Sequence, residues 1–163
     1  MSLTENLRKV ENTIAAACEN SNRAPSEVTL VAVSKTKPIS MLQEIYDAGI
    51  RDFGENKVQE LTDKYEQMPK DVRWHLIGHL QTNKVKYVVD KAYLIHGVDS
   101  VKLAKEISKE AVKRNITVNI LVQINIANEA TKFGIQEQET FSFLEEVSKL
   151  EGICIKGLMT IAP

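Results

Sequence analysis

The amino-acid sequence predicts an α/β fold in which six parallel strands alternate with six helices. Short runs rich in Val, Ile and Leu alternate with segments whose apolar residues recur every three or four positions, and no linker interrupts them. Such units build either an open doubly wound sheet or a TIM-type (β/α) barrel. No Gly-rich phosphate loop follows the first strand, which counts against a dinucleotide-binding sheet. The sequence therefore favours a barrel, as one domain over residues 1–163.

The first helix and strand have clear signals. Ser2 and Glu5 form a capping box, and apolar residues at helical spacing predict a helix that ends before Pro25. Residues 28–34 (VTLVAVS) are apolar on both faces. This pattern predicts a parallel strand that is covered on both sides and lies centrally in the sheet.

The next two units repeat this order. Pro38 opens a predicted helix that stops at Gly49, and residues 51–55 (RDFGE) predict the second strand. Asn56 then precedes a helix that ends near Pro69. Residues 73–77 (RWHLI) predict the third strand, followed by an exit loop at 78–81 and a helix over 83–89.

The remaining units complete the alternation. Residues 93–98 predict the fourth strand, and either Asp99 or Ser100 caps a helix through Arg114. Residues 118–126 predict the fifth strand and residues 153–160 the sixth. Between them we expect a helix over about 139–150 with three residues facing the core: Phe141, Leu144 and Val147.

The charge and the hydropathy of the sequence limit the classes of partner that it predicts. The formal net charge is −1, so the sequence predicts neither a nucleic-acid partner nor an anionic membrane surface. No stretch approaches the length of a membrane span, and residues 1–10 lack the apolar core of a secretory signal. We therefore predict a cytoplasmic protein.

Ligands of parallel α/β folds bind beyond the carboxyl ends of the strands. The polar or soft side chains at the predicted ends are Lys35, Asn56, His79, Asp99, Asn125, Met159 and Thr160. Each has an ordinary structural alternative: a solvated loop lysine, a helix cap for Asn56 and Asp99, a backbone-bonded loop histidine, a turn asparagine, and core packing for Met159. A lysine amine beside an apolar strand can condense with a carbonyl to form a Schiff base.

Two other site classes are poorly supported. His75 and His79 are four residues apart, but the residues between them predict strand and turn rather than helix, and no glutamate accompanies them as in a helical zinc motif. No serine or cysteine lies in a nucleophile-elbow pattern. The sequence therefore predicts neither a metal site nor a hydrolase triad.

Four blocks of the sequence resemble the pyridoxal phosphate homeostasis protein family, also called the proline synthetase co-transcribed family. The blocks are VAVSKTKP at 31–38, FGENKVQE at 53–60, WHLIGHLQTNK at 74–84 and GLMT at 157–160. They occur in the family's order, and the resemblance extends over essentially the whole chain.

The resemblance implies a barrel similar to the amino-terminal domain of alanine racemase. Pyridoxal 5'-phosphate (PLP) would be held as a Schiff base on Lys35, the first lysine of the SKTKP motif. Asn56 and His79 would line the cofactor ring, with Met159 and Thr160 on the pocket floor. The list of strand ends includes the same five residues.

The resemblance also implies a function in vitamin B6 homeostasis, with PLP carried or buffered rather than used in turnover. Partners would be PLP, amino acids and PLP-dependent apoenzymes. Racemisation needs a second acid-base group, which racemases take from another domain. The alternative is a Schiff-base enzyme of the racemase or aldolase type.

The resemblance also implies later Ser-Met-Gly-Met and Arg-Ile-Gly-Thr runs that supply the phosphate cradle and the partner of the pyridine nitrogen, and neither run occurs in the 163 residues given. The residues given therefore predict about six of eight barrel strands and weak or absent cofactor binding. They also predict unpaired first and sixth strands that invite self-association.

Overall fold

Six parallel strands form one sheet, and their order in the sheet is their order in the chain. The structure is a computed structural model that describes residues 2–127 and 133–162. The strands are β1 (Ala32–Val33), β2 (Asp52–Glu55), β3 (Arg73–Leu76), β4 (Ala92–Val98), β5 (Val118–Gln123) and β6 (Ile153–Met159). The helices are α1 (Leu3–Asn20), α2 (Ile39–Asp47), α3 (Val58–Gln67), α4 (Val85–Val88), α5 (Val101–Arg114) and α6 (Thr140–Ser148).

The strand order decides between the two candidate folds. Each strand pairs in parallel with the next one in the chain, from β1 through β6, without a reversal of direction around the sheet. Right-handed crossovers then place the connecting helices α2 to α6 on the same face, whereas a doubly wound sheet reverses its order and covers both faces. The predicted barrel is confirmed, here as six consecutive units. Within the described residues, β1 and β6 each have one strand neighbour.

The apolar core lies between the sheet and its helices. Alternate strand residues point into it, and the largest of the fully buried ones are Phe53, Trp74, Leu76, Ile95 and Ile120. The helices contribute one apolar stripe each, including Leu61, Val85, Val88, Leu103, Ile107 and Val147. Each such side chain stabilises the fold by about 1.5–3 kcal/mol through its removal from water.

Helix starts follow their capping signals. The Oγ of Ser2 accepts a hydrogen bond from the Glu5 N–H at 3.1 Å, as the capping box predicts. The Oγ of Ser100 accepts from the Leu103 N–H at 3.1 Å, so Ser100 is the cap of α5. Asp99 instead accepts from the Gly134 N–H at 3.0 Å. No helix among the described residues is long and apolar enough to cross a membrane.

The prediction for the first strand is wrong in length and burial. Only Ala32 and Val33 pair with β2, opposite Phe53 and Gly54, and Val33 is 53% exposed. β2 is itself only four residues long, and β1 lies at the end of the sheet with a single neighbour. The apolar run over 28–34 therefore extends well beyond the two residues that pair with β2.

The carboxyl-terminal elements differ in detail from prediction. A 3₁₀ turn at Glu137–Glu139 sets the start of α6 at Thr140, so that Thr140, Phe143 and Val147 face the core. Phe141 is 86% exposed, which contradicts its predicted inward position. β5 ends at Gln123 because the Asn125 N–H turns to bond the Ile135 carbonyl at 2.9 Å.

The two phenylalanines of α6 provide a test of this helix face. Phe143→Ala is expected to lower the free energy of unfolding by about 3 kcal/mol, because it leaves a cavity in the core. Phe141→Ala is the matched control and is expected to change it by less than about 0.5 kcal/mol, as for exposed positions. Urea unfolding measures both, and equal losses would contradict the assigned face.

Candidate functional site

The carboxyl ends of the six strands lie at one edge of the sheet because all the strands are parallel. Lys35 follows β1, Asn56 follows β2 and His79 lies in the loop after β3. Met159 ends β6, and Thr160 follows it. In the order of the sheet, four strands separate Lys35 from Met159 and Thr160.

Lys35 lies in a tight turn from Ser34 to Lys37. The Lys37 N–H donates to the Ser34 carbonyl at 3.1 Å, and Thr36 adopts φ of +62°. The left-handed region is unusual for a β-branched residue and costs on the order of 1–3 kcal/mol. Lys35 is exposed, and its side chain makes no hydrogen bond or ion pair with any residue in the described ranges. Its amine is therefore available for chemistry.

The backbone on both sides of Lys35 is held by a cluster of three charged side chains, Glu55, Glu60 and Lys64. The Lys64 Nζ donates to the Ser34 carbonyl at 2.6 Å, to Glu55 at 3.0 Å and to Glu60 at 2.7 Å. The Ser34 hydroxyl donates to the Glu55 carboxylate. Glu60 in turn accepts from the Thr36 N–H at 2.6 Å. We call these three residues the turn cluster.

Burial shapes the electrostatics of the turn cluster. Glu55 is fully buried, and burial raises the pKa of its carboxyl although Ser34 and Lys64 act in the opposite direction. The hydrogen bond from Lys64 lowers the pKa of Glu60. Among the described residues, the Oε1 atom of Glu55 is buried without a hydrogen-bond partner. The ammonium of Lys64 thus joins two carboxylates in different environments beneath the Lys35 turn.

Asn56 and His79 are brought together by a close approach of two loops. A Cβ at Gly78 would lie 2.4 Å from the Asn56 carbonyl oxygen, so this position accepts only glycine without a backbone shift. Asn56 is half-buried, and the cap position of α3 belongs to Lys57, so the helix-cap alternative for Asn56 is wrong. His79 stacks on Phe133 with ring centroids 3.9 Å apart and an interplanar angle of 5°.

A groove of about 880 Å³ opens beside these loops and is lined by both Asn56 and His79. Lysines supply much of its wall: Lys57, Lys84, Lys86 and Lys91. Its lining, taken over the described part of the chain, contains no acidic side chain and does not include Lys35. Asn56 and His79 therefore share one groove, and Lys35 is not among the residues that line it.

Met159 and Thr160 are tied to the neighbouring strand. The Ile124 N–H donates to the Met159 carbonyl at 2.9 Å, and the Thr160 hydroxyl donates to the Ile124 carbonyl at 3.0 Å. Met159 is half-buried and Thr160 is exposed. These bonds fix the end of β6 against the end of β5.

Sequence reasoning missed a second polar cluster, on the face of the sheet opposite the helices. His75 bonds Asp52 through Nε2 and His96 through Nδ1, both at 2.9 Å. Arg73 donates two hydrogen bonds to Asp52, at 2.9 and 2.8 Å. The available signal was strand alternation, which places Asp52 with Gly54 and Arg73 with His75 on one face.

The environment of this second cluster shifts two of its pKa values. Burial opposes ionisation of Asp52, but hydrogen bonds from Arg73 and His75 together lower the pKa of its carboxyl. Burial, together with the charge of His75, lowers the pKa of His96 to about 4. Within the described residues, no group of three His, Cys, Asp or Glu side chains is placed to hold a metal ion.

Comparison with known proteins shows the family. The model of the alanine racemase N-terminal domain matches residues 4–163. The pyridoxal phosphate homeostasis protein of Aquifex aeolicus is 41% identical over 164 residues, covering 100% of this chain and 72% of that protein. The chain belongs to the alanine racemase N-terminal domain family and, within it, to the pyridoxal phosphate homeostasis proteins.

Solved structures agree with this family assignment. A protein of unknown function from Bifidobacterium adolescentis has a TM-score of 0.92 at 36% identity, covering 98% of this chain and 69% of that one. PipY of Synechococcus elongatus, solved with PLP bound, has a TM-score of 0.76 at 34% identity, covering 92% and 71%. The chain thus spans about 70% of the length of these three proteins.

His96 predicts an acid-dependent stability for this family member. Its folded pKa lies near 4 and its unfolded value near 6.5, so between these values the unfolded chain binds more protons. The free energy of unfolding is therefore expected to fall as the pH drops from 6.5 to about 4. His96→Gln is expected to remove this part of the slope in urea unfolding at stepped pH. An imidazole NMR titration of His96 near 6.5 would contradict the prediction.

Proposed function

We propose that this chain binds pyridoxal 5'-phosphate as a Schiff base on Lys35 and acts as a carrier or buffer in PLP homeostasis. Lysine amines form Schiff bases with carbonyl compounds and with this cofactor. The observation that carries the proposal is the state of Lys35: its exposed side chain has no partner in the described ranges, while the peptide on either side is fixed. The relatives named for PLP homeostasis, and PipY solved with PLP, support the choice of ligand.

The residues present fit the aldehyde end of the cofactor. The Lys35 Nζ would hold the cofactor through its aldehyde carbon, with the carbonyl oxygen and the two amine protons lost as water. The bound group supplies an electrophilic carbon that can pass from one amine to another. Strand ends that lie at one edge place Asn56 and His79 on the neighbouring units, where we propose that they contact the ring. We propose Met159 and Thr160 as the pocket floor.

Reversible exchange explains how a carrier would release its load. An incoming amine, from an amino acid or from the active-site lysine of an apoenzyme, would bind the same carbon atom. Lys35 would then be released as a free amine. Exposure of Lys35 suits this exchange, because the incoming amine needs an open path to the bond. No further catalytic group is required for that transfer.

Chemical trapping tests the attachment point. After incubation with PLP and borohydride, the wild-type chain is expected to gain one adduct mass on the peptide that contains Lys35. Lys35→Ala is expected to lose this adduct, because no amine remains at that position. Lys37→Ala is the matched control and is expected to retain it. An undiminished adduct in Lys35→Ala, measured by intact mass and peptide mapping, would refute attachment at Lys35.

Amino acids test carriage against turnover. Added amino acids are expected to shift the visible band of the loaded protein and to release PLP, with the amino acid recovered unchanged in amount and chirality. Removal of the amino acid should restore the original band, because exchange is reversible. Steady loss or racemisation of the amino acid, followed by chiral chromatography, would instead identify an enzyme.

A further inference from the structure

The turn cluster of Glu55, Glu60 and Lys64 directs its bonds at the two residues that flank Lys35. On one side it binds Ser34, through the carbonyl and the hydroxyl. On the other side Glu60 binds the N–H of Thr36. Lys35 is thus the one residue between two fixed points.

All three protons of the Lys64 ammonium are used in hydrogen bonds at this turn. An ammonium has three protons, and Lys64 directs its Nζ at three oxygens, those of Ser34, Glu55 and Glu60, at 2.6 to 3.0 Å. Its side chain is 7% exposed, so these bonds replace water almost completely. Charge-assisted bonds of this kind are stronger than neutral ones and fix geometry more closely.

The turn needs such support because of Thr36. Its φ of +62° is sterically unfavourable for a β-branched side chain, so without a restraint the peptide would relax toward an ordinary conformation. The Thr36 N–H bond to Glu60, at 2.6 Å, holds the peptide in place. Relaxation of Thr36 would rotate the chain at Lys35 and redirect its amine.

We propose that Glu60 and Lys64 are positioning residues that hold the Lys35 amine in the orientation it needs to condense with an aldehyde. The proposal rests on the proposed function, because it assumes that Lys35 is the attachment point. A purely structural cluster would instead stabilise α3 against the sheet without affecting the chemistry of Lys35. The two roles differ in one respect. Only in the positioning role does the strained backbone of Thr36 affect the reactivity of Lys35.

The test compares Glu60→Ala with Glu66→Ala, an exposed acid on the same helix that makes no hydrogen bond or ion pair with the described residues. Glu60→Ala is expected to speed hydrogen exchange of the Thr36 amide about tenfold and to weaken PLP trapping on Lys35 about tenfold, the size of one charge-assisted bond. Glu66→Ala is expected to leave both unchanged. The amide measurement uses the protein without PLP, and urea unfolding confirms that each variant is folded.

A rescue variant separates positioning from stability. Thr36→Gly combined with Glu60→Ala is expected to recover most of the trapping on Lys35, because glycine adopts positive φ without strain. The Thr36→Gly single variant should match wild type. Recovery of trapping without recovery of the lost stability supports positioning.

The outcomes distinguish this inference from the proposed function. If the wild-type chain traps PLP on Lys35 and Glu60→Ala traps as much, the positioning role is overturned while the attachment point stands. If trapping falls only in proportion to the unfolded fraction, the role is again overturned. If the wild-type chain forms no adduct on Lys35, both the proposed function and this inference are overturned.

Discussion

Parallel pairing of each strand with its successor is the constraint on which the rest of the structure depends. Because the pairing runs unbroken from β1 to β6, every strand ends at the same edge of the sheet. Residues far apart in the sequence, such as Lys35, Asn56 and His79, are thereby placed at the ends of neighbouring units. The same constraint places the helices on one face, so the other face is free to carry polar side chains.

Charge is distributed unequally over these two faces. On the helix-facing side, Glu55 and Lys64 form a buried ion pair, and their burial carries a desolvation penalty. A buried ion pair is therefore weak evidence for stability. The structural effect of this pair is that Lys64 also bonds the Ser34 carbonyl, next to Lys35. On the opposite face Asp52, His75 and His96 form a hydrogen-bonded chain.

Local signals in the sequence were sufficient for the order and type of the elements and for the cap of α1, and they narrowed the cap of α5 to Asp99 or Ser100. They failed where an element's limits depend on a distant partner. Only two residues of the apolar run over 28–34 pair with β2, which strand propensity alone does not indicate. Packing against the core places Phe143 rather than Phe141 on the buried face of α6. Lys35 could be found because it follows a strand. The link between Lys64 and Ser34 could not, because periodicity does not record bonds between elements.

The short pairing of β1 also has a dynamic meaning. Only two residue pairs join β1 to β2, whereas β5 and β6 share six, so the hydrogen bonds of the turn cluster to Ser34 and Thr36 supply much of what holds the end of β1. Loss of the bonds from the turn cluster to Ser34 and Thr36 would therefore release the lysine turn as a small unit while the rest of the sheet stays folded. The orientation of the Lys35 amine and the local folding of residues 28–36 would then change together. A ligand bound to Lys35 in the folded turn would therefore also stabilise the pairing of β1 with β2.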